Sequence, residues 1–172
     1  MSVYPNQLTI FIGKQIMIKW LIFVFMTVAS WGLYGVFLHR GQLSMEDAVH
    51  GRFKAFLFVG LAYLLTAVIG SAVMLILNGA EWNFTSKGVS WSFLAGLVGA
   101  SGAFGVLLAF GAGGRPAVVM SIVFAGAPIV NAVVATLSHP PAGGWGAVRW
   151  QFVAGILLAA IGGCLVTFYK PN

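Results

Sequence analysis

Five apolar runs dominate this 172-residue chain: Trp20–Leu38, Ala55–Leu77, Ser90–Phe110, Ala117–Leu137 and Phe152–Tyr169. None contains an Asp, Glu, Lys, Arg or His. Each runs for about 18–23 residues, which at 1.5 Å rise per residue matches a hydrocarbon core of about 30 Å. Inside lipid a backbone amide finds no water, so every N–H and C=O must be satisfied within its own element. The runs therefore predict an all-α integral membrane protein, five transmembrane helices in one bundle.

Composition agrees, with 60% hydrophobic and 7% charged residues. So little polar surface cannot cover a soluble globule of this size, and the length suits one domain, 1–172. The net charge of +6 comes from nine Lys and Arg, all outside the five runs. That distribution anchors helices among headgroups and forms no basic stripe, so nucleic acid is not an expected partner while membrane lipids are. Cys164 is the one cysteine, which excludes an intrachain disulfide, and its place inside the fifth run predicts a buried, inert thiol. Lys14 and Lys19 precede the first run in the manner of a signal peptide, but the run continues through Trp31 to Leu38. An uncleaved first helix is expected, with Leu8–Ile18 of the preceding segment 1–19 lying along the interface.

Five spans put the termini on opposite sides. Lys14, Lys19, Lys87 and Arg149 then fall on one side, and Arg40, Arg52, Lys54, Arg115 and Lys170 on the other. This near balance barely chooses an orientation, and we read N-out, C-in. Trp20, Trp82, Trp91, Trp145 and Trp150 all fall at span ends on the N-terminal side. The longest connection is His39–Lys54, a solvated polar loop. Its His39, Glu46, Asp47 and His50 lack a metal-site spacing, so no metal is assigned. The turn Gly111–Pro116 (GAGGRP) is glycine-rich, but no strand precedes it and no Gly-Lys-Ser/Thr follows, so no phosphate loop is assigned and no cofactor is expected. The stretch HPPAGGWG from His139 to Gly146 joins spans four and five. No spaced His/Asp/Glu set and no nucleophile–base pair lies at membrane depth, so the chain is not read as an enzyme.

Within the spans the informative residues are small or polar. Gly96, Gly99, Gly102 and Gly105 recur in the third span, and Gly155, Ala159 and Gly163 form a spacing-of-four stripe in the fifth. Glycine in a helix interior costs about 1 kcal/mol against alanine, so such enrichment needs a reason. Close packing inside the bundle supplies one; a dimerisation face on the fifth span supplies another. Pro128 sits mid-span in the fourth run, has no N–H, and crowds the carbonyl of Phe124, which predicts a kink or opening there. Ser121, Phe124, Pro128 and Asn131 share a face, so a hydroxyl, an exposed carbonyl and an amide would converge at mid-depth, either as a solute site or as a tolerated kink with Asn131 bonded to a neighbour. Thr27, Trp31 and Tyr34 in the first span, and Tyr63, Thr66 and Gly70 in the second, either line a pocket or pack. No acidic residue lies in any span, which counts against proton- or cation-coupled export.

Trp31-Gly32 resembles the Trp-Gly of the opening helix in the EamA-like half of the drug/metabolite transporter superfamily. Gly113–Leu137 (GGRPAVVMSIVFAGAPIVNAVVATL) is similar to that family's third-to-fourth helix passage, with Pro128 at its central proline. Gly155–Tyr169 (GILLAAIGGCLVTFY) is similar to its glycine-rich closing helix. The family commonly has a glutamate just after the fourth helix, where this chain reads LSHPPAGG. The resemblance implies a five-helix transporter-like protein of a bacterial-type inner (plasma) membrane that moves a small organic solute. Trp31, Tyr34, Ser121, Pro128 and Asn131 would line the substrate site. Many members carry two such halves in inverted orientation, so one half implies a homo-oligomer, a homodimer for transport; the alternative is a non-transporting structural or assembly subunit of a membrane complex. Single cysteines placed at Ser2 and Asn172, in a Cys164→Ala background, should be labelled by an impermeant reagent from opposite faces. Labelling of both from one face would remove the five-span count.

Overall fold

The structure, a computed structural model, describes residues 7–170, with side chains from Trp20 onwards. Every regular element among them is helical. In order they are α1 (Gln7–Ser44), α2 (Gly51–Tyr63), a π-helical segment (Leu64–Ile69), α3 (Gly70–Leu77), α4 (Ser86–Gly111), α5 (Pro116–Ser138), a short 3-10 turn (Trp145–Ala147) and α6 (Trp150–Phe168). Five helical stretches are long and apolar enough to cross a membrane: Trp20–Ser44, Gly51–Leu77, Ser86–Gly111, Pro116–Ser138 and Trp150–Phe168. The all-helical class read from the sequence, with five helices long and apolar enough to span a membrane, is the one observed.

Local chemistry sets the helix ends. Thr85, extended at φ −80° and ψ 136°, accepts a hydrogen bond from the Gly88 N–H and so caps α4. α5 opens on Pro116, whose missing N–H costs nothing in a first turn. Between them Gly113 takes φ +92°, and the next glycine, Gly114, leaves no room for a Cβ beside the Ala109 carbonyl oxygen. The four-residue turn from α4 to α5 depends on both.

Two expectations need correction. The connection His39–Lys54 is half helical: α1 runs on to Ser44 and α2 starts at Gly51, leaving a loop of 45–50. Polar side chains past the apolar limit do not stop a helix that has left the hydrocarbon. Cys164 is exposed rather than buried, at the edge of the cleft between α5 and α6. The second span carries an irregularity that the sequence did not signal. α5 continues through Pro128, whereas Leu64–Ile69 widens to a π turn in which the Gly70 N–H reaches the Leu65 carbonyl. The backbone of α1 runs unbroken from Gln7; the side chains of Leu8–Ile18, and the interfacial position expected of them, lie outside the described residues.

By contact density the chain divides into two units, Met1–Phe37 and Leu38–Asn172. In the first, Trp31 and Tyr34 pack with ring centroids 5.5 Å apart, and Thr27 donates its hydroxyl to the Phe23 carbonyl. In the second, the buried apolar residues gather at the end marked by the 45–50 loop: Leu38, Ala55, Ala103, Val106, Leu107 and Phe110, with Met120. Ala103 and Leu107 lose all exposure. α3 and the first half of α4 keep their apolar side chains outward, as Val73, Ile76, Trp91, Phe93 and Val98 show. Outward apolar surface is the expected state of a helix surrounded by lipid.

α5 and α6 pack along small residues. Ala125 and Ile129 of α5 meet Ala160, Gly163 and Thr167 of α6 around a cleft of about 290 Å³. The Thr136 and Thr167 hydroxyls bond to carbonyls four residues back, Ala132 and Gly163, and so satisfy themselves within their own helices. A Cβ on Gly163 would collide with the Ala125 side chain, whereas one on neighbouring Gly162 would meet nothing within 4 Å. We therefore expect Gly163→Ala to destabilise the bundle by about 1–3 kcal/mol through overpacking. Gly162→Ala should be neutral or stabilising by up to about 1 kcal/mol from helix propensity. The unfolding midpoint in mixed micelles checks both; equal effects would discount the close contact.

Candidate functional site

The second unit has a polar cavity at the end where its core lies. The last turns of α1 contribute His39 and Gln42, the 45–50 loop Glu46 and Asp47, α2 Arg52, and the end of α4 Phe110 and Gly111. It encloses about 460 Å³. None of these helices is amphipathic in the soluble sense, so the polar residues concentrate where the helices leave their apolar stretches.

The loop is built around Asp47. Its Oδ1 accepts from the Val49 N–H at 3.1 Å and the His50 N–H at 2.8 Å, and its Oδ2 accepts from Lys54 Nζ at 2.6 Å. Its backbone carbonyl takes the Gly51 N–H at 2.8 Å. One residue thus organises the entry into α2, a role that Asp fills well because its short side chain bonds amides two and three positions on. The Lys54 ammonium, followed by the His50 and Val49 amides, holds the Asp47 carboxyl down from its ordinary 3.8 to about 2. Glu46 precedes it in the left-handed region at φ 51°, which the tight reversal out of α1 requires.

α1 and α2 meet very closely here. A Cβ on Gly51 would stand 3.0 Å from the Gln42 carbonyl oxygen, and one on Gly41 would stand 3.9 Å from the Ala55 Cβ. This approach leaves Gln42 only 9% exposed, and its Nε2 has no hydrogen-bond partner. Arg52 lies against Gly111, where any Cβ would strike its guanidinium, and its charge sits 5.0 Å from the centre of the Phe53 ring. The Arg52 Nε and the His39 Nδ1 are likewise buried without a partner. His39 packs edge-on against Phe110, centroids 5.3 Å apart. Among the described residues no three His, Cys, Asp or Glu side chains gather to hold a metal ion.

The residues expected to line a substrate site are distributed as follows. Trp31 and Tyr34 pair in the first unit, Trp31 being more than a third exposed. In the second unit, Ser121 is half-buried and donates its hydroxyl to the Ala117 carbonyl at 2.6 Å. Pro128 and Asn131 are exposed on α5, beside the stripe that packs on α6. The α5–α6 cleft is lined by neither. Thr66 and Gly70, expected on a stripe of the second span, line an open groove together with Ser71 and Asn78.

Sequence reasoning assigned no role to Gln42 or Phe110, placed Gly111 only in the turn after the third span, and used Arg52 only as a headgroup anchor. A signal existed in the spacing of His39 and Gln42, which puts both on one face of a helix that outruns its apolar stretch. Nothing in the sequence, however, joined that face to the end of α4.

Compared with known proteins, the chain matches no family model, no curated protein and no solved structure. Its own geometry is what bears on function.

Because the folded carboxyl of Asp47 lies below its unfolded value, its contribution to loop order is present above about pH 4 and fades as pH falls through about 2. The Asp47 carboxyl signal in an NMR titration should move with a midpoint near 2. In Lys54→Met, which removes the foremost cause, the midpoint should rise towards the ordinary carboxylate value. An unchanged midpoint in that variant would assign the shift to the backbone amides alone.

Proposed function

We propose that this chain is a transporter-like protein of a bacterial-type inner membrane that moves a small organic solute as a homodimer of five-helix units. The observation that carries the proposal is the polar cavity opening at one end of the second unit, with Gln42, Arg52 and His39 each holding a buried polar atom that has no hydrogen-bond partner among the described residues. An assembly subunit needs complementary outer faces; it does not need a polar cavity accessible at one end. Further support comes from α5. Pro128 withholds an N–H from the Phe124 carbonyl, and the Asn131 amide is exposed and makes no side-chain hydrogen bond among the described residues. In a solute pathway these groups, with Ser121, would supply polar contacts at depth. The EamA-like resemblance of Trp31-Gly32, Gly113–Leu137 and Gly155–Tyr169 points the same way.

The dimer in this proposal comes from the resemblance, to a family many of whose members pair two five-helix halves. Nearly balanced Lys and Arg permit two copies inserted in opposite senses. On α6, Gly155 and Ala159 are exposed, and a Cβ on Gly155 meets nothing within 4 Å, so this part of the stripe is free for a second copy. Gly163 is not, being taken up by Ala125. The second reading, an assembly subunit of a larger membrane complex, is favoured by the outward apolar faces of α3 and the first half of α4.

Cross-linking in lipid nanodiscs separates the two. We expect the wild type to be a dimer and Ala159→Leu to reduce the dimer at least tenfold without changing the unfolding midpoint of the monomer. A wild type that is monomeric in lipid would remove the homodimeric transporter and leave the subunit reading.

A further inference from the structure

We infer that the cavity between the end of α1, the start of α2 and the end of α4 is an anion site, in which the Arg52 guanidinium and the Gln42 amide hold a single phosphate or carboxylate group. This goes beyond the transport proposal and does not require it, since a binding site is testable in a protein that moves nothing.

Arg52 is the first ground. Its guanidinium is pressed against Gly111 and the Phe53 ring, its Nε is buried, and no carboxylate among the described residues pairs with it. The residue is part-exposed, but its buried Nε lacks an acceptor and its permanent charge lacks a counter-ion, and a guanidinium cannot shed its proton to escape. Its planar fork of donors matches the two oxygens of a carboxylate or phosphate.

Gln42 is the second and independent ground. It is 9% exposed, lines the cavity, and its Nε2 donates to nothing. A buried amide donor left unmade is uncommon in a folded protein, and it asks for an acceptor. The His39 Nδ1, also buried and unpartnered, stands at the same wall.

The two carboxylates at the rim do not supply that acceptor. Asp47 is already held by Lys54 Nζ and two loop amides. Glu46 is exposed, fixed by its backbone at φ 51°, and forms no ion pair with Arg52. Its charge at the mouth opposes a polyanion, so the group held is one phosphate or one carboxylate. The cavity lies where α1 and α2 leave their apolar stretches. A lipid headgroup phosphate and a water-soluble phosphate or carboxylate both have access to that level.

The full chain, purified in a maltoside detergent that carries no phosphate, tests this. Its unfolding midpoint is followed against inorganic phosphate, sodium acetate and, separately, dihexanoyl phosphatidylglycerol below its micellar concentration. We expect a rise of about 5 °C or more at a hundredfold excess over Kd with at least one of the three. A response to phosphate or acetate assigns a soluble source, and a response confined to the short-chain lipid assigns a headgroup. Arg52→Gln should abolish the rise and leave the ligand-free midpoint equal or higher, since it removes an uncompensated charge. Gln42→Leu should weaken binding roughly tenfold. Gly111→Ala keeps the charge but displaces the guanidinium, and should also abolish the rise. No response from the wild type to any of the three overturns the site, as does an Arg52→Gln protein that responds as the wild type does. Transport fails separately if the wild type binds the anion yet stays monomeric in lipid.

Discussion

The cavity end of the second unit depends on how closely the end of α1 and the start of α2 approach each other. Gly51 admits the Gln42 carbonyl, Gly41 faces Ala55, and any larger residue at the first position would push the helices apart. With no hydrophobic gain between helices in lipid, such contact rests on dispersion and on backbones that can come near one another. Once α1 and α2 are joined, α4 docks by ring contacts. Phe104 lies 6.4 Å from Phe53 and 5.6 Å from Phe56, and Phe110 meets His39. Ala103 and Leu107 then become fully buried, and the polar cavity is left over as the space beside them.

The same principle governs α5 and α6, with a different result. There the small residues meet in the middle of the apolar stretch, and the hydroxyls of Ser121, Thr136 and Thr167 turn back on their own helices. The interface is therefore almost wholly apolar, and the cleft beside it has nothing with which to orient a polar molecule. Chemistry has been left at the helix ends, where water or headgroups can share the cost of exposing charge.

The five spans were legible in the sequence because lipid imposes one rule on every residue of a span, and uncharged runs report it directly. Helix ends were less legible. His39, Arg40 and Gln42 read as loop because they are polar, yet a helix hydrogen-bonded within itself does not stop where the hydrocarbon does. The turns were recoverable from Gly113, Pro116 and the prolines at 140–141, whose backbone limits are local. The cavity was not recoverable. Gln42 and Gly111 are 69 positions apart, about twenty helical turns' worth of chain, and only tertiary packing brings them to one wall. Cys164 shows the converse error. Hydrophobic surroundings in sequence were read as burial, but in lipid an apolar residue has no preference between the bundle and its exterior.

The widened turn at Leu64–Ile69 has a consequence for the second span as a whole. An α-helix advances about 100° per residue, so a single turn with one residue too many rotates everything beyond it by about that angle. Phe53 and Phe56 before the turn are aimed at Phe104, while Thr66, Gly70, Ser71 and Asn78, in and beyond it, line a largely apolar groove on a separate bearing. One continuous span thus carries two compass settings. The lower half is fixed by its neighbour, and the upper half is offset by an amount that sequence periodicity, counted straight through from Gly51, assigns to the wrong side.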